Sequence, residues 1–211
     1  MIRHLLLVTG CAVALGACEA QQEQAAQDVL NIENDAQAVP VNGAVGTFGT
    51  STTGAGMMQD AALRTADGRQ VGNVSMRDEG GTTILTVSVR DIPQGTHGMH
   101  IHAVGRCEGP TFESAGAHWN PQNRQHGTEN PQGPHAGDLQ NIEVGQVGTG
   151  GVTANLRNVA LRDGMTPLLD EDGAALIIHA QADDYRTDPG GGSGDRIACA
   201  VLSPPGAAAA N

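Results

Sequence analysis

The chain contains no lysine. Every basic side chain other than histidine is an arginine, and 11 of these stand against 23 acids, for a formal charge of −12 over 211 residues. That balance excludes nucleic acid as a partner, because no basic patch is available to meet phosphate. It also excludes electrostatic attraction to anionic lipid. Aromatic side chains are almost as scarce: Phe48, Phe112, Trp119 and Tyr185 are the whole set. A core must therefore come from Val, Ile, Leu and Ala, and the length allows one domain with tails. The apolar run Leu5 to Ala17 is too short to span a bilayer.

That run reads as a targeting segment. Met1 to His4 form a short basic start, and the run ends in Leu15-Gly-Ala-Cys18, which resembles the lipobox cut by lipoprotein signal peptidase. Residues 1–17 are expected to be removed as a lipoprotein signal peptide, leaving Cys18 as the lipidated first residue. Cys11 fits a similar pattern but leaves a shorter run, and an ordinary secretory peptide with Cys18 as a stray thiol is the plainer alternative. In every case the mature chain is expected to be exported. The expected location is the periplasmic face of the envelope, and Glu19 after Cys18, in place of Asp, leans toward an outer-membrane lipoprotein. The lipid at Cys18 would be its one membrane contact. In an oxidising space the two remaining cysteines, Cys107 and Cys199, default to a disulfide. It would close a loop of about ninety residues and contribute roughly 4–5 kcal/mol as an upper figure.

Residues 18–54 are rich in Gln, Ala, Glu and Asn, then in Gly and Thr, and read as a flexible tether. A short helix at Ala25–Ile32 is the alternative. Residues 204–211 read as a disordered tail. Residues 55–203 hold short strands and Gly-rich turns: Met57–Thr65, Gln70–Arg77, Thr82–Val89, Gly98–His102, Asn141–Val147, Gly151–Leu156, Ala174–His179 and Arg196–Leu202. Asp67-Gly68 is a hairpin signal. Eight strands without an amphipathic helix predict an all-β fold, an antiparallel sandwich or barrel. Two connections are long, Ala103–Leu139 and Ala180–Asp195, and long loops are usually functional.

Those loops and strands carry six histidines in four phrases: Gly98-Met-His-Ile-His102, Ala117-His-Trp-Asn-Pro121, His126 to His135-Ala-Gly-Asp138, and Ile177-Ile-His179. Six imidazoles with one carboxylate suit zinc and copper better than magnesium or calcium. They are also more ligands than one tetrahedral ion needs, which hints at two metals. His100 and His102 lie two apart on a strand, so both face the same side. His118, His126, His135 and Asp138 share one loop and make a closed four-ligand set. His179 ends a very apolar strand and, alone, would read as a core histidine.

Together with Ser114-Ala-Gly-Ala-His-Trp-Asn-Pro121, His135-Ala-Gly-Asp-Leu139 and Gly194-Asp-Arg-Ile-Ala-Cys199, these phrases make the segment Ala55–Leu202 resemble copper/zinc superoxide dismutase in motif order and spacing. The resemblance implies an eight-stranded, antiparallel, immunoglobulin-like Greek-key barrel or sandwich with two long functional loops. It implies a copper ion on His100, His102, His118 and His179, and a zinc ion on His118, His126, His135 and Asp138. His118 would bridge the two as imidazolate. Asp183 falls where a carboxylate links a copper ligand, His100, to a zinc ligand, His126; a solvated loop acid is the alternative. Cys107 and Cys199 match the family disulfide. Arg196 matches the arginine lining the copper channel, with a surface ion pair to Asp184 or Asp195 as the alternative. Arg196 and His118 would be the catalytic residues.

The implied activity is disproportionation of superoxide to dioxygen and hydrogen peroxide by alternate reduction and reoxidation of the bridged copper. A non-catalytic copper/zinc storage or delivery module of the same fold is the other reading. The substrate would be an anion approaching an acidic protein, so the local field decides. The 180–195 loop has Arg186 but no lysine, and carries Asp183, Asp184, Asp188 and Asp195. The channel threonine has no secure counterpart, Thr187 being the nearest. Weak electrostatic steering is the expectation. No apolar stripe sets the oligomeric state, and a homodimer stays open.

Overall fold

The computed structural model describes residues 58–79, 82–157, 159–162 and 167–207. The signal peptide, Cys18 and the 18–54 tether lie outside these residues. Alternation of apolar and polar side chains produces the strands as read. In β2 (Gln70–Glu79) Val74 and Met76 are buried, and in β3 (Thr82–Val89) Leu85, Val87 and Val89 are, with β1 (Met58–Arg64) adding Ala61 and Leu63. The turn between β1 and β2 closes at Gly68, where φ is 85° and its N–H donates to Thr65 O.

The described residues form nine strands, one more than the eight read from sequence. The strand expected at 98–102 is β5 (Met99–His102), and the additional one, β4 (Gly95–His97), precedes it across Gly98. The others are β6 (Ile142–Val144), β7 (Gly150–Arg157), β8 (Ala174–His179) and β9 (Arg196–Ser203). All pairs are antiparallel, in the order β4-β6-β7-β3-β2-β1-β9-β8-β5. The two outermost strands, β4 and β5, are joined by one residue. A sheet whose opposite edges are one residue apart has to curl into a nearly closed barrel. The seam is stitched at Gly98, whose N–H donates to Gln181 O at 2.7 Å and whose carbonyl accepts from His179 N at 2.9 Å.

β8 explains the apolar run before His179. Leu176 and Ile178 point into the barrel core with Leu63, Met76, Leu85 and Ile142. Ala175 and Ile177 point outward into a second cluster with Phe112, Ala115 and Cys199. That cluster lies under the first long loop, which contains a single 3₁₀ turn, Glu113–Ala115. Cys107 and Cys199 are disulfide-bonded, Cα to Cα 5.7 Å, and tie this loop to β9. The β7–β8 connection, not singled out from sequence, contributes Leu161, Leu168 and Leu169 to the main core. Of the tail, residues 204–207 are described, and Gly206 N–H donates to Glu171 O.

Candidate metal centre

On β5, Met99 and Ile101 enter the core, and the period-two alternation sends His100 and His102 to the barrel's outer face. All four are buried, because the first long loop returns along the free edge of β5. Trp119 N–H donates to Ile101 O at 2.8 Å and Ile101 N–H to Gly137 O at 2.9 Å. The same pairing sets His118 opposite His102 and Asp138 opposite His100. His179 ends β8 and pairs across to Arg196 on β9. Four separate stretches of chain thus reach one spot because the sheet edge and the loop are hydrogen-bonded together.

Two sets of side chains result. One ligand atom from each of His100, His102, His118 and His179 lies within 4.8 Å of the others, and the same holds for His100, His118, His126 and Asp138. His135 joins the second set, its Nδ1 3.2 Å from Asp138 Oδ1 and 3.3 Å from His118 Nδ1. Nδ1 of His118 and of His126 each lie 3.0 Å from the same carboxylate oxygen. One oxygen cannot satisfy three crowded ring nitrogens, whereas a cation among them would.

The other side of His118 passes a sharper test of fit. His100 Nε2 donates to Asp183 Oδ2 at 2.9 Å, His102 Nδ1 to Gly116 O at 2.9 Å, and His179 Nδ1 to Gly194 O at 3.1 Å. Each bond fixes the tautomer and leaves the other nitrogen as a bare lone pair. Those nitrogens, His100 Nδ1, His102 Nε2 and His179 Nε2, are buried with no hydrogen-bond partner. Buried lone pairs without a donor are costly, and convergent ones are what a borderline-soft metal ion binds.

Asp183 is buried between the two sets. Its Oδ2 takes the His100 bond, and its Oδ1 accepts from His126 Nε2 at 3.0 Å and from Tyr185 N–H at 2.7 Å. It is not a solvated acid. Gly191, at φ 64°, passes so close that a Cβ there would collide with Asp183 Oδ1. Several supporting contacts escaped the sequence reading. Asn141 clasps the Asp183 backbone, accepting from its N–H at 2.9 Å and donating to its carbonyl at 3.0 Å. Asp188 Oδ1 accepts from His126 N–H at 2.6 Å. Gly127 and His135 N–H groups both donate to Asp138 Oδ2 at 2.9 Å. The Asn141 and Asp188 contacts carry no local signal, since they join stretches of chain 42 and 62 residues apart.

Residues 70–202 match the family described as copper/zinc superoxide dismutase (SODC). The chain belongs to that family. It is 45% identical to a superoxide dismutase-like protein of Bacillus subtilis, over 64% of this chain and 71% of the relative. It is 38% identical to a copper/zinc superoxide dismutase of Aquifex aeolicus, over 67% of this chain and 84% of the relative. The crystal structure of a SOD-like protein from B. subtilis superposes with a TM-score of 0.65 at 42% identity, covering 68% of this chain and 97% of that one. Copper and zinc are the metals of the copper/zinc superoxide dismutase family, and the donor sets described above fit them.

In this superoxide dismutase fold the metal-free electrostatics follow from burial and two carboxylates. Burial lowers the pKa of His102 to about 2, of His179 to about 3 and of His100 to about 4, the last against the pull of Asp183. His126 goes the other way. Burial opposes its charge, but hydrogen bonding to Asp138 and Asp183 outweighs that and raises it to about 9. Burial would raise both carboxyls; hydrogen bonds from His118 and His126 to Asp138, and from His100 and His126 to Asp183, instead hold both well below the usual range.

Arg196 is half-buried and makes no ion pair with Asp184 or Asp195. Its Nη1 donates to Phe112 O at 2.6 Å and its Nη2 to Gly116 O at 2.9 Å, the carbonyl that also holds His102. Arg186 is engaged: Nε and Nη2 lie 2.6 and 2.5 Å from Glu129 Oε2. Thr187 Oγ1 donates to Asp184 Oδ2 at 2.5 Å, so its hydroxyl is tied within its own loop.

Proposed function

We propose that the chain disproportionates superoxide at a copper ion held by His100, His102, His118 and His179, beside a zinc ion held by His118, His126, His135 and Asp138. The observation that carries this reading is the set of buried, donor-free nitrogens on His100, His102 and His179 beside His118, whose Nδ1 is turned to Asp138. Bound copper would supply a one-electron couple and bound zinc a fixed positive charge. The rest is the work of the chain. Asp183 orients His100 and His126 together, so the two sets keep one geometry. His118 holds and returns a proton at Nε2 while Nδ1 stays on the Asp138 side. Arg196, with two N–H groups spent on carbonyls, offers the remainder to a small anion.

The test is superoxide dismutation by the copper- and zinc-loaded protein beside its His118→Ala variant. High activity lost in the variant supports the bridged site. No activity in a fully metallated, disulfide-closed wild type would favour the second reading, a metal storage or delivery module. That reading takes its support from the 45% identical relative being named superoxide dismutase-like. The completeness of the ligand set and the presence of Arg196 weigh against it.

Export as a lipoprotein anchored at Cys18 belongs to the same proposal, and the Cys107–Cys199 disulfide agrees with an oxidising compartment. Mass spectrometry of the membrane fraction should find lipid on Cys18, and Cys18→Ala should release the protein. Retention of that variant in the membrane would sink the anchor.

A further inference from the structure

Phe112 precedes the 3₁₀ turn with φ 56° and ψ 23°, a left-handed conformation that a bulky side chain rarely adopts. Such a backbone persists only where the surroundings over-determine it. Here they do. The ring is 2% exposed and packs with Ala115, Ala175, Ile177 and Cys199, with Cys107 against the same cluster. The carbonyl that this backbone aims is the one that accepts from Arg196 Nη1 at 2.6 Å. Four residues on, Gly116 O takes Arg196 Nη2 and also His102 Nδ1. The guanidinium is therefore gripped by the two ends of a single turn, and that turn is anchored by one aromatic side chain wedged beside the disulfide.

We propose that Phe112 is a positioning residue for Arg196: its buried ring fixes the turn 112–116, whose two carbonyls aim the guanidinium at the anion-binding face of the copper ligands. This rests on the copper site proposed above. Two of the guanidinium's N–H groups are spent on the carbonyls, and the orientation of those left over is set by which two are spent. Loss of the ring frees the turn, and Arg196 then reorders at each binding event. Affinity for a small anion falls, while His100 and His179, held by Asp183 and Gly194 O and not by the turn, stay in place; a loosening of His102, which shares Gly116 O, would persist without Arg196 and is told apart there.

The probe is azide, titrated into the copper- and zinc-loaded full chain and followed by the copper(II) charge-transfer absorption. Phe112→Ala should weaken azide binding about tenfold, the worth of one hydrogen bond from a charged donor. Phe112→Gly relieves the left-handed backbone but removes the ring, and should weaken binding as much. Phe112→Leu keeps an apolar anchor and should return affinity to within about threefold of wild type. In an Arg196→Ala background Phe112→Ala should have no further effect, because the two act through one group. Unchanged azide affinity in metallated, disulfide-closed Phe112→Ala and Phe112→Gly would overturn the proposal. So would an equal loss in the Arg196→Ala background, or no loss in Arg196→Ala itself. A wild type with no copper(II) band on azide addition would instead count against the copper site, and the proposal would fall with it.

Discussion

Asp183 is the residue on which most of the centre depends, because one carboxylate sets two imidazoles. Asp183→Asn keeps an acceptor for one of His100 and His126 and presents an amide N–H to the other. Affinity for both metals should fall together, by about 10–100-fold. Chelator competition measured separately for copper and zinc checks this, and loss of one metal alone would show that the link is not shared. The histidines also set how the metal-free protein responds to pH. His100, His102 and His179 have folded pKa values of about 4, 2 and 3. The unfolded chain therefore takes up protons below about pH 6.5 that the fold refuses, and stability falls as the pH drops. His126, raised to about 9, works oppositely: its contribution is complete below about 6.5 and is lost as the pH rises through 9. Thermal melts of chelator-treated protein should show a steep acid limb and a shallower alkaline one. A flat acid limb would mean that these imidazoles are not buried as neutral bases. The clustering of His100, His102, His118, His126 and Asp138 was foreshadowed in the sequence by local patterns, His-x-His on a strand and a ligand-rich loop, whereas His179 alone read as a core residue and joined them through the family resemblance. Asn141, Asp188 and Phe112 were not foreshadowed, because their partners lie 42, 62 and 84 residues away.

Among the elements, the seam at Gly98 couples the barrel to the site. A Cβ there would meet Ser193 Oγ at 2.7 Å and Ser193 Cβ at 2.9 Å, with Asp183 N at 3.3 Å. Gly98→Ala must push the second long loop outward and should cost about 1–3 kcal/mol in denaturant unfolding. Ser193→Gly in the same chain removes the obstacle and should recover much of that loss. Wild-type stability in the single variant, or no recovery in the double, would refute the steric account. The strand after Gly98 was readable, but β4 before it was not. β4 is three residues long, too short for a period to show in sequence, and its pairing with β6 is what defines it. The Leu161, Leu168 and Leu169 segment was missed for a related reason: it enters the core from a connection with no strand period.

For the whole molecule the question is how an anion reaches an acidic protein. The charge of −12 was plain from composition; where the positive charges sit was not. The structure ties Arg186 to Glu129, so the pair presents a dipole in place of a free cation. Asp184 and Asp188 take backbone N–H bonds that leave their charge intact. Within the second long loop and the start of β9, Arg196 is left as the cation beside the proposed copper ligands. Its reach is short once the Debye length falls from about 30 Å at 0.01 M salt to about 8 Å at 0.15 M. Over that interval kcat/KM should fall by less than about threefold, where strong steering would change it by about tenfold or more. Glu129→Gln tests the cause: freeing Arg186 from its partner should raise kcat/KM at low salt and make it more salt-sensitive. A steep salt dependence in the wild type, or no response to Glu129→Gln, would show that the guiding field does not depend on this pair.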